Sequence, residues 1–238
     1  MVDRNHLALL KEGVAAWNAY WQEHHQTVKA DLRGVNLSGM DLNGVNFCKV
    51  DLQGAYLINT NLCGAFLNEA DLSDAFLKGA DLTGAYLNRV NLSAASLHQA
   101  TLRMTTLRWA DFSEAYLKNA DLSKANLKEA CFQDANLTGA NLSEAYLQKA
   151  NLRGARFKAA NFSNADLSGI QAQGANFASA RLTGACLEGW DIDGTTRFEW
   201  VVCDYVCLDR RKRSRYPRAN NFLPGEFAKM LTDTRVAS

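Results

Sequence analysis

The sequence predicts an all-β solenoid: a rod of stacked coils, closed at its beginning by an amphipathic α-helix and at its end by a short cap. Three observations carry that expectation. From Ala30 to Ile192 a large apolar residue returns at every fifth position without insertion or deletion, giving 33 centres from Leu32 to Ile192, of which one, Ala172, is small. Two positions before each centre sits a small residue, usually alanine, as in Ala65-Phe66-Leu67 and Ala140-Asn141-Leu142. Finally, 14 of the 16 glycines, among them Gly34, Gly84 and Gly184, fall two places after a centre, and no proline precedes Pro217.

A period of five excludes the regular alternatives. On a helix a step of five turns by roughly 140°, which scatters the leucines around the cylinder. In a continuous strand an odd period sends successive leucines to opposite faces. The chain must therefore turn once per repeat. The small residue and the centre, two apart, both point inward, and the residue between them points out. Glycine at the corner supplies permissive backbone angles, and the absence of proline keeps N–H groups available for pairing between coils.

Individual copies such as Ala30-Asp31-Leu32-Arg33-Gly34, Ala80-Asp81-Leu82-Thr83-Gly84 and Ala120-Asp121-Leu122-Ser123-Lys124 resemble the pentapeptide-repeat family, whose motif reads Ala-(Asp/Asn)-Leu-X-X. The resemblance covers roughly two-thirds of the chain, in too many tandem copies for chance. It implies a right-handed quadrilateral β-helix with four repeats per coil. The chain would then hold about eight to nine coils, and its regular rod would be roughly 40 Å long at about 4.8 Å per coil.

Three segments follow: an N-terminal capping helix over 1–29, the β-helix over 30–208, and a basic loop with a C-terminal cap over 209–238. In the first, Leu7, Leu10, Val14, Trp17 and Trp21 recur at steps of three and four, as on one helix spanning 3–25. Such a helix covers the unpaired edges and apolar cross-section of a first coil. The stretch Leu9 to Val14 with Trp17-Asn18 is similar to leaders of cyanobacterial members of the family. Three acidic and three basic residues through Lys29 leave no cationic face for a membrane surface. With 47% hydrophobic residues, a net charge of +1 and no secretory or membrane-spanning run, the chain reads as one elongated, cytoplasmic domain. The six cysteines show no paired metal-type spacing and read as reduced thiols.

With four repeats per coil, residues 20 apart share a face. One face then reads Asp31, Asp51, Asp71, Asn91, Asp111, and its opposite Asp41, Asn61, Asp81, Thr101, Asp121. Aromatic residues fall on the other two, Tyr56 over Phe76 and Phe66 over Tyr86. These pairs read either as ladders stacked at coil spacing or as a partner surface. Residues 95–109 depart from the pattern outside while keeping it inside: Ser96, Thr101 and Thr106 replace Asp or Asn, and His98, Arg103, Arg108 and Trp109 project outward. Trp109 lies in a corner row with Glu69, Arg89, Glu129 and Lys149, so an arginine–indole contact fits either a satisfied ladder or a binding hot spot. The structural core runs through Leu32, Leu82, Phe112, Leu122 and Phe162 to Trp190, whose indole fills a small-residue slot and should begin to close the coil. Ile170, in another small slot, exchanges volume with Ala172. After Ile192 the register slips by one, to weaker centres at Phe198, Cys203 and Leu208. Residues 210–215 form a basic loop, and Phe222 to Leu231 fold back as a turn and short helix with Pro224 at the helix start.

No catalytic constellation emerges. Three of the four histidines sit in the leader, no glycine-rich phosphate loop is present, and the outward aspartates follow the repeat and satisfy corner backbone groups or face solvent. The leading expectation is a non-enzymatic scaffold for a protein partner, without cofactor, metal or membrane insertion, as a monomer or weak dimer. The alternative implied by the resemblance is a nucleic-acid mimic that inhibits a type II topoisomerase. That needs a strongly negative rod, whereas residues 30–192 hold 16 acidic and 14 basic side chains and the C-terminal part is basic, so no nucleic-acid role is expected.

Overall fold

In the computed structural model, which describes residues 4–24, 30–209, 214–223 and 225–233, each outward residue pairs in parallel with the residue 20 positions on. Asp31 pairs with Asp51, Asn36 with Tyr56, Asp41 with Asn61 and Asn46 with Phe66, and so on to Gln171 with Asp191. Twenty residues are four repeats, so every coil has four faces and four corners. We call the faces first to fourth, after Asp31, Asn36, Asp41 and Asn46. The interior is filled by the centres and their small companions. Leu32, Leu82, Phe112, Leu122 and Phe162 are fully buried, and aromatic centres stack at coil spacing, Phe112 on Phe132 at 4.8 Å.

Following the five N–H groups of a repeat shows why this sequence makes this coil. The outward residue donates to a carbonyl in the coil below (Asp51 to Ala30, 3.0 Å), and the centre and the residue two after it donate to the coil above (Leu32 to Asp51, 2.8 Å; Gly34 to Gln53, 2.9 Å). The next small residue closes the corner on its own centre (Ala55 to Leu52, 2.9 Å). Only the N–H just after the centre lacks a main-chain partner, and the outward Asp or Asn accepts it. Thr83 N donates to Asp81 Oδ1 at 2.9 Å and Ser143 N to Asn141 Oδ1 at 3.2 Å. A buried N–H left without an acceptor is costly, so the Asp/Asn of the repeat is an internal cap for its corner. The residue two after the centre takes a left-handed backbone whether or not it is glycine: φ is 68° at Gly84, 58° at Trp109 and 56° at Met104. The corner, more than the residue, sets that conformation.

The N-terminal stripe forms two helices where one was expected. α1 (Arg4–Glu12) and α2 (Val14–His24) are separated at Gly13, whose φ of 119° no helix accommodates. The stripe survives the break, with Leu10, Trp17 and Trp21 buried. Trp17 meets Phe47 edge-on at 5.4 Å and donates from Nε1 to the Asn46 carbonyl at 2.7 Å. Asn18 accepts the Asn46 N–H at 2.8 Å and donates to the Gly44 carbonyl at 3.0 Å. Side chains of α2 thus take both main-chain groups of Asn46, which higher coils pair with the coil below.

At the other end the pairing interval grows from 20 to 21, joining Asn176 to Arg197, Arg181 to Val202 and Cys186 to Cys207. The extra residue is taken up around Asp193, whose Oδ1 accepts from the N–H of Thr195 at 2.9 Å and of Gly174 at 3.3 Å. Trp190 is buried but does not close the coil, contrary to its expected role. Its ring packs beside the directly stacked Phe177 and Phe198, and the widened last coil carries the pairing on to Cys207. A two-residue ladder, β1 (Val206–Cys207) with β2 (Arg215–Tyr216), then covers part of one edge. α3 (Glu226–Asp233) buries Phe227 against Phe198 and Phe222. Residues 210–213 of the basic loop, and Pro224, lie outside the described residues.

Candidate interaction surface

Each repeat turns the chain by one face, and this distributes the unusual 95–109 tract around the rod. The sequence reads it as one patch, but three different corners carry its side chains. His98 lies between the second and third faces, donating from Nδ1 to the Lys118 carbonyl at 2.8 Å with its ring 5.8 Å from Tyr116. Arg103 lies between the third and fourth, 3.8 Å from the Asp121 carboxylate. Arg108 and Trp109 lie between the fourth and first. The aromatic pairs form stacked ladders, Tyr56 on Phe76 at 4.8 Å on the second face and Phe66 on Tyr86 at 5.1 Å on the fourth. All four rings stay about two-fifths exposed.

The fourth face and its corner with the first concentrate what is unusual. The Trp109 indole receives two guanidinium groups, Arg108 at 4.2 Å and Arg89 at 5.1 Å from the ring centre, and donates from Nε1 to Glu129 at 3.2 Å. Arg108 is half-buried rather than fully outward, and its Nε and the Thr106 hydroxyl are covered without a hydrogen-bond partner. Because Tyr86 and Thr106 replace the capping Asp or Asn, Asn68 and Asn88 cap from the coil below: their Oδ1 atoms accept the N–H of Asn88 and of Arg108. At the foot of the same face, Asn18, Trp21 and Gln22 of α2 meet Asn46, Cys48 and Phe66 around a shallow pocket of about 440 Å³. The sequence held no sign of this pocket, which depends on where α2 docks. Elsewhere burial pushes thiols up, Cys186 to about 11 and Cys203 to about 12, out of the range of nucleophiles at neutral pH.

Four-sided coils with side-chain-capped corners and a filled interior define a β-helical repeat protein whose chemistry is presented on its outside. The chain belongs to the pentapeptide-repeat family: eight copies of the family described as "Pentapeptide repeats" match between residues 30 and 196. Solved structures of similar proteins include HetL, a pentapeptide repeat protein involved in heterocyst differentiation regulation from the cyanobacterium Nostoc sp. strain PCC 7120. It is 29% identical over 79% of this chain and 94% of its own, with a TM-score of 0.46. QnrB1, a plasmid-mediated fluoroquinolone resistance protein, is 20% identical over 74% of this chain and 92% of its own, with a TM-score of 0.60. Rfr23 from the cyanobacterium Cyanothece 51142 is 24% identical over 76% and 97%, with a TM-score of 0.23. No curated protein matches the chain significantly in sequence. The architecture is the right-handed quadrilateral β-helix implied by the family and by the likeness in fold to QnrB1.

Proposed function

We propose that this protein is a non-enzymatic interaction scaffold, a stiff prism that holds side chains at fixed spacing for a protein partner. The observation that carries the reading is the corner where Arg89 and Arg108 share the Trp109 indole, because arginine beside tryptophan is the composition of binding hot spots. The interior supports it, since its centres from Leu32 to Leu187, nearly all leucine and phenylalanine, are buried and leave the outer faces to make contacts. In this reading α1 and α2 cap the first coil, α3 caps the last, and the rod works as a monomer or weak dimer in the cytoplasm. Among the described residues no helix is long and apolar enough to cross a membrane. The likeness to QnrB1 concerns the fold. A topoisomerase-inhibiting DNA mimic is disfavoured by a repeat region with 16 acidic and 14 basic side chains, a charge far from that of a nucleic-acid rod. The test is affinity capture from source-cell lysate with wild type and with Arg108→Ala/Trp109→Ala. A protein held by wild type and lost with the variant supports the reading; absence of any specific capture contradicts it.

A further inference from the structure

Resting on the scaffold reading, we infer that the fourth face is the docking groove and that its occupant is an acidic, extended segment of a partner protein, seating an apolar side chain at the foot of the rod and a carboxylate at Arg89 and Arg108. Three observations single out this face over the second, which carries an equivalent aromatic stack. It alone adjoins the α2 pocket lined by Trp21 and Phe66. It ends at two guanidinium groups gathered on one indole, neither of them within ion-pairing distance of a carboxylate among the described residues. Beside them the Arg108 Nε and the Thr106 hydroxyl are covered and unpartnered, so this corner holds polar groups that the rod itself leaves unsatisfied.

Charge complementarity decides the class of occupant. Each guanidinium fork can take a carboxylate bidentately. In the same corner row Glu69 stands one coil below Arg89, and Glu129 one coil above Trp109, accepting its indole N–H. These carboxylates admit a single anionic group between them and repel a continuous phosphate backbone, so the groove suits an acidic peptide and not nucleic acid. The Phe66–Tyr86 stack forms an apolar floor between pocket and arginines. Pocket and arginines are two to three coils apart, roughly 10–14 Å, which an extended chain covers in about three to four residues.

The test is selection of immobilised random dodecapeptides on the folded full-length protein, on Arg89→Gln/Arg108→Gln, and on Tyr56→Ser/Phe76→Ser as the second-face control, each first shown to melt like wild type. Selected peptides are expected to share a Glu or Asp three to four residues from a large apolar side chain. Their affinity by fluorescence anisotropy should fall at least about tenfold in the arginine variant and stay within about twofold of wild type in the control. Peptides without a shared acidic residue, or peptides lost only in the second-face variant, overturn the docking inference while leaving the scaffold reading intact. Tighter binding of a single-stranded oligonucleotide than of any peptide overturns the choice of occupant. A wild type that selects no peptide at all counts against both readings.

Discussion

Replacing Leu122 with alanine measures how tightly the rod is filled. Leu122 is fully buried, and its column neighbours one coil away, Leu102 and Leu142, are as well. Three carbons leave the core, about 2.4 kcal/mol of transfer free energy at about 0.8 kcal/mol each. The site cannot collapse, because hydrogen bonds fix the backbone on both sides: Leu122 N to Asn141 O at 2.7 Å and Leu102 N to Asp121 O at 2.6 Å. A residual cavity of about 75 Å³ at about 24 cal/mol per Å³ adds nearly 2 kcal/mol. The expected loss is thus about 4 kcal/mol, read as a lower urea midpoint by circular dichroism with an unchanged slope. Tyr116→Ala, on the outside of the same coil, should change stability by less than about 1 kcal/mol. A loss below about 1 kcal/mol for Leu122→Ala would refute the inward assignment of the centres. A broken, two-stage transition would show instead that neighbouring coils do not unfold together.

Further outcomes follow from the same contacts. Deleting residues 1–28 removes Trp17 and Asn18 from the first-coil edge and should cause association, seen as a rise in mass by light scattering; a monodisperse truncated protein would mean α2 is no cap. The Asp81 carboxyl lies below its ordinary pKa: burial pushes it up, but hydrogen bonds from the Thr83 hydroxyl (2.6 Å) and N–H (2.9 Å) outweigh burial. A depressed folded value contributes stability that is present above the unfolded pKa and is lost as pH falls through the folded one. The wild-type melting temperature should therefore fall on acidification below about pH 4, and Asp81→Asn should make that fall shallower; an identical acid profile would contradict the assignment. The native protein should offer no more than three of its six cysteines to a thiol reagent at pH 8, those half-buried at Cys48, Cys63 and Cys131, and all six once unfolded.

The coil was legible because one period fixes both what is inside and where the chain turns. Leu32 to Leu187 needed no correction, and the one-residue slip after Ile192 could be read from the spacing of Phe198 and Cys203 alone. What could not be read depends on three-dimensional neighbours. Gly13 breaks the leader helix although the apolar stripe runs on past it, since periodicity reports which residues are buried and not whether the backbone is continuous. The size of Trp190 suggested that the coil begins to close there, and nothing in the spacing showed that the indole would instead pack beside the stacked Phe177 and Phe198. The tract 95–109 looked like a single patch because its neighbours in sequence lie on different corners, whereas Arg89 and Trp109, 20 residues apart, lie one above the other. The pocket between α2 and Phe66 left no trace in the sequence, because it arises where two segments dock.

The account rests on a four-repeat coil rigid enough to serve as a ruler, and pulsed electron resonance between two spin labels tests that most directly. In a background with Cys48, Cys63 and Cys131 changed to serine, one label at Lys49 is combined with a second at Glu129 or at Lys149, all in one corner row. The coil predicts narrow distributions whose centres differ by one coil, about 5 Å, with backbone separations of roughly 19 and 24 Å. Broad distributions, or a separation that does not grow by one coil between the two pairs, would contradict the rod and the spacing on which its proposed docking face depends.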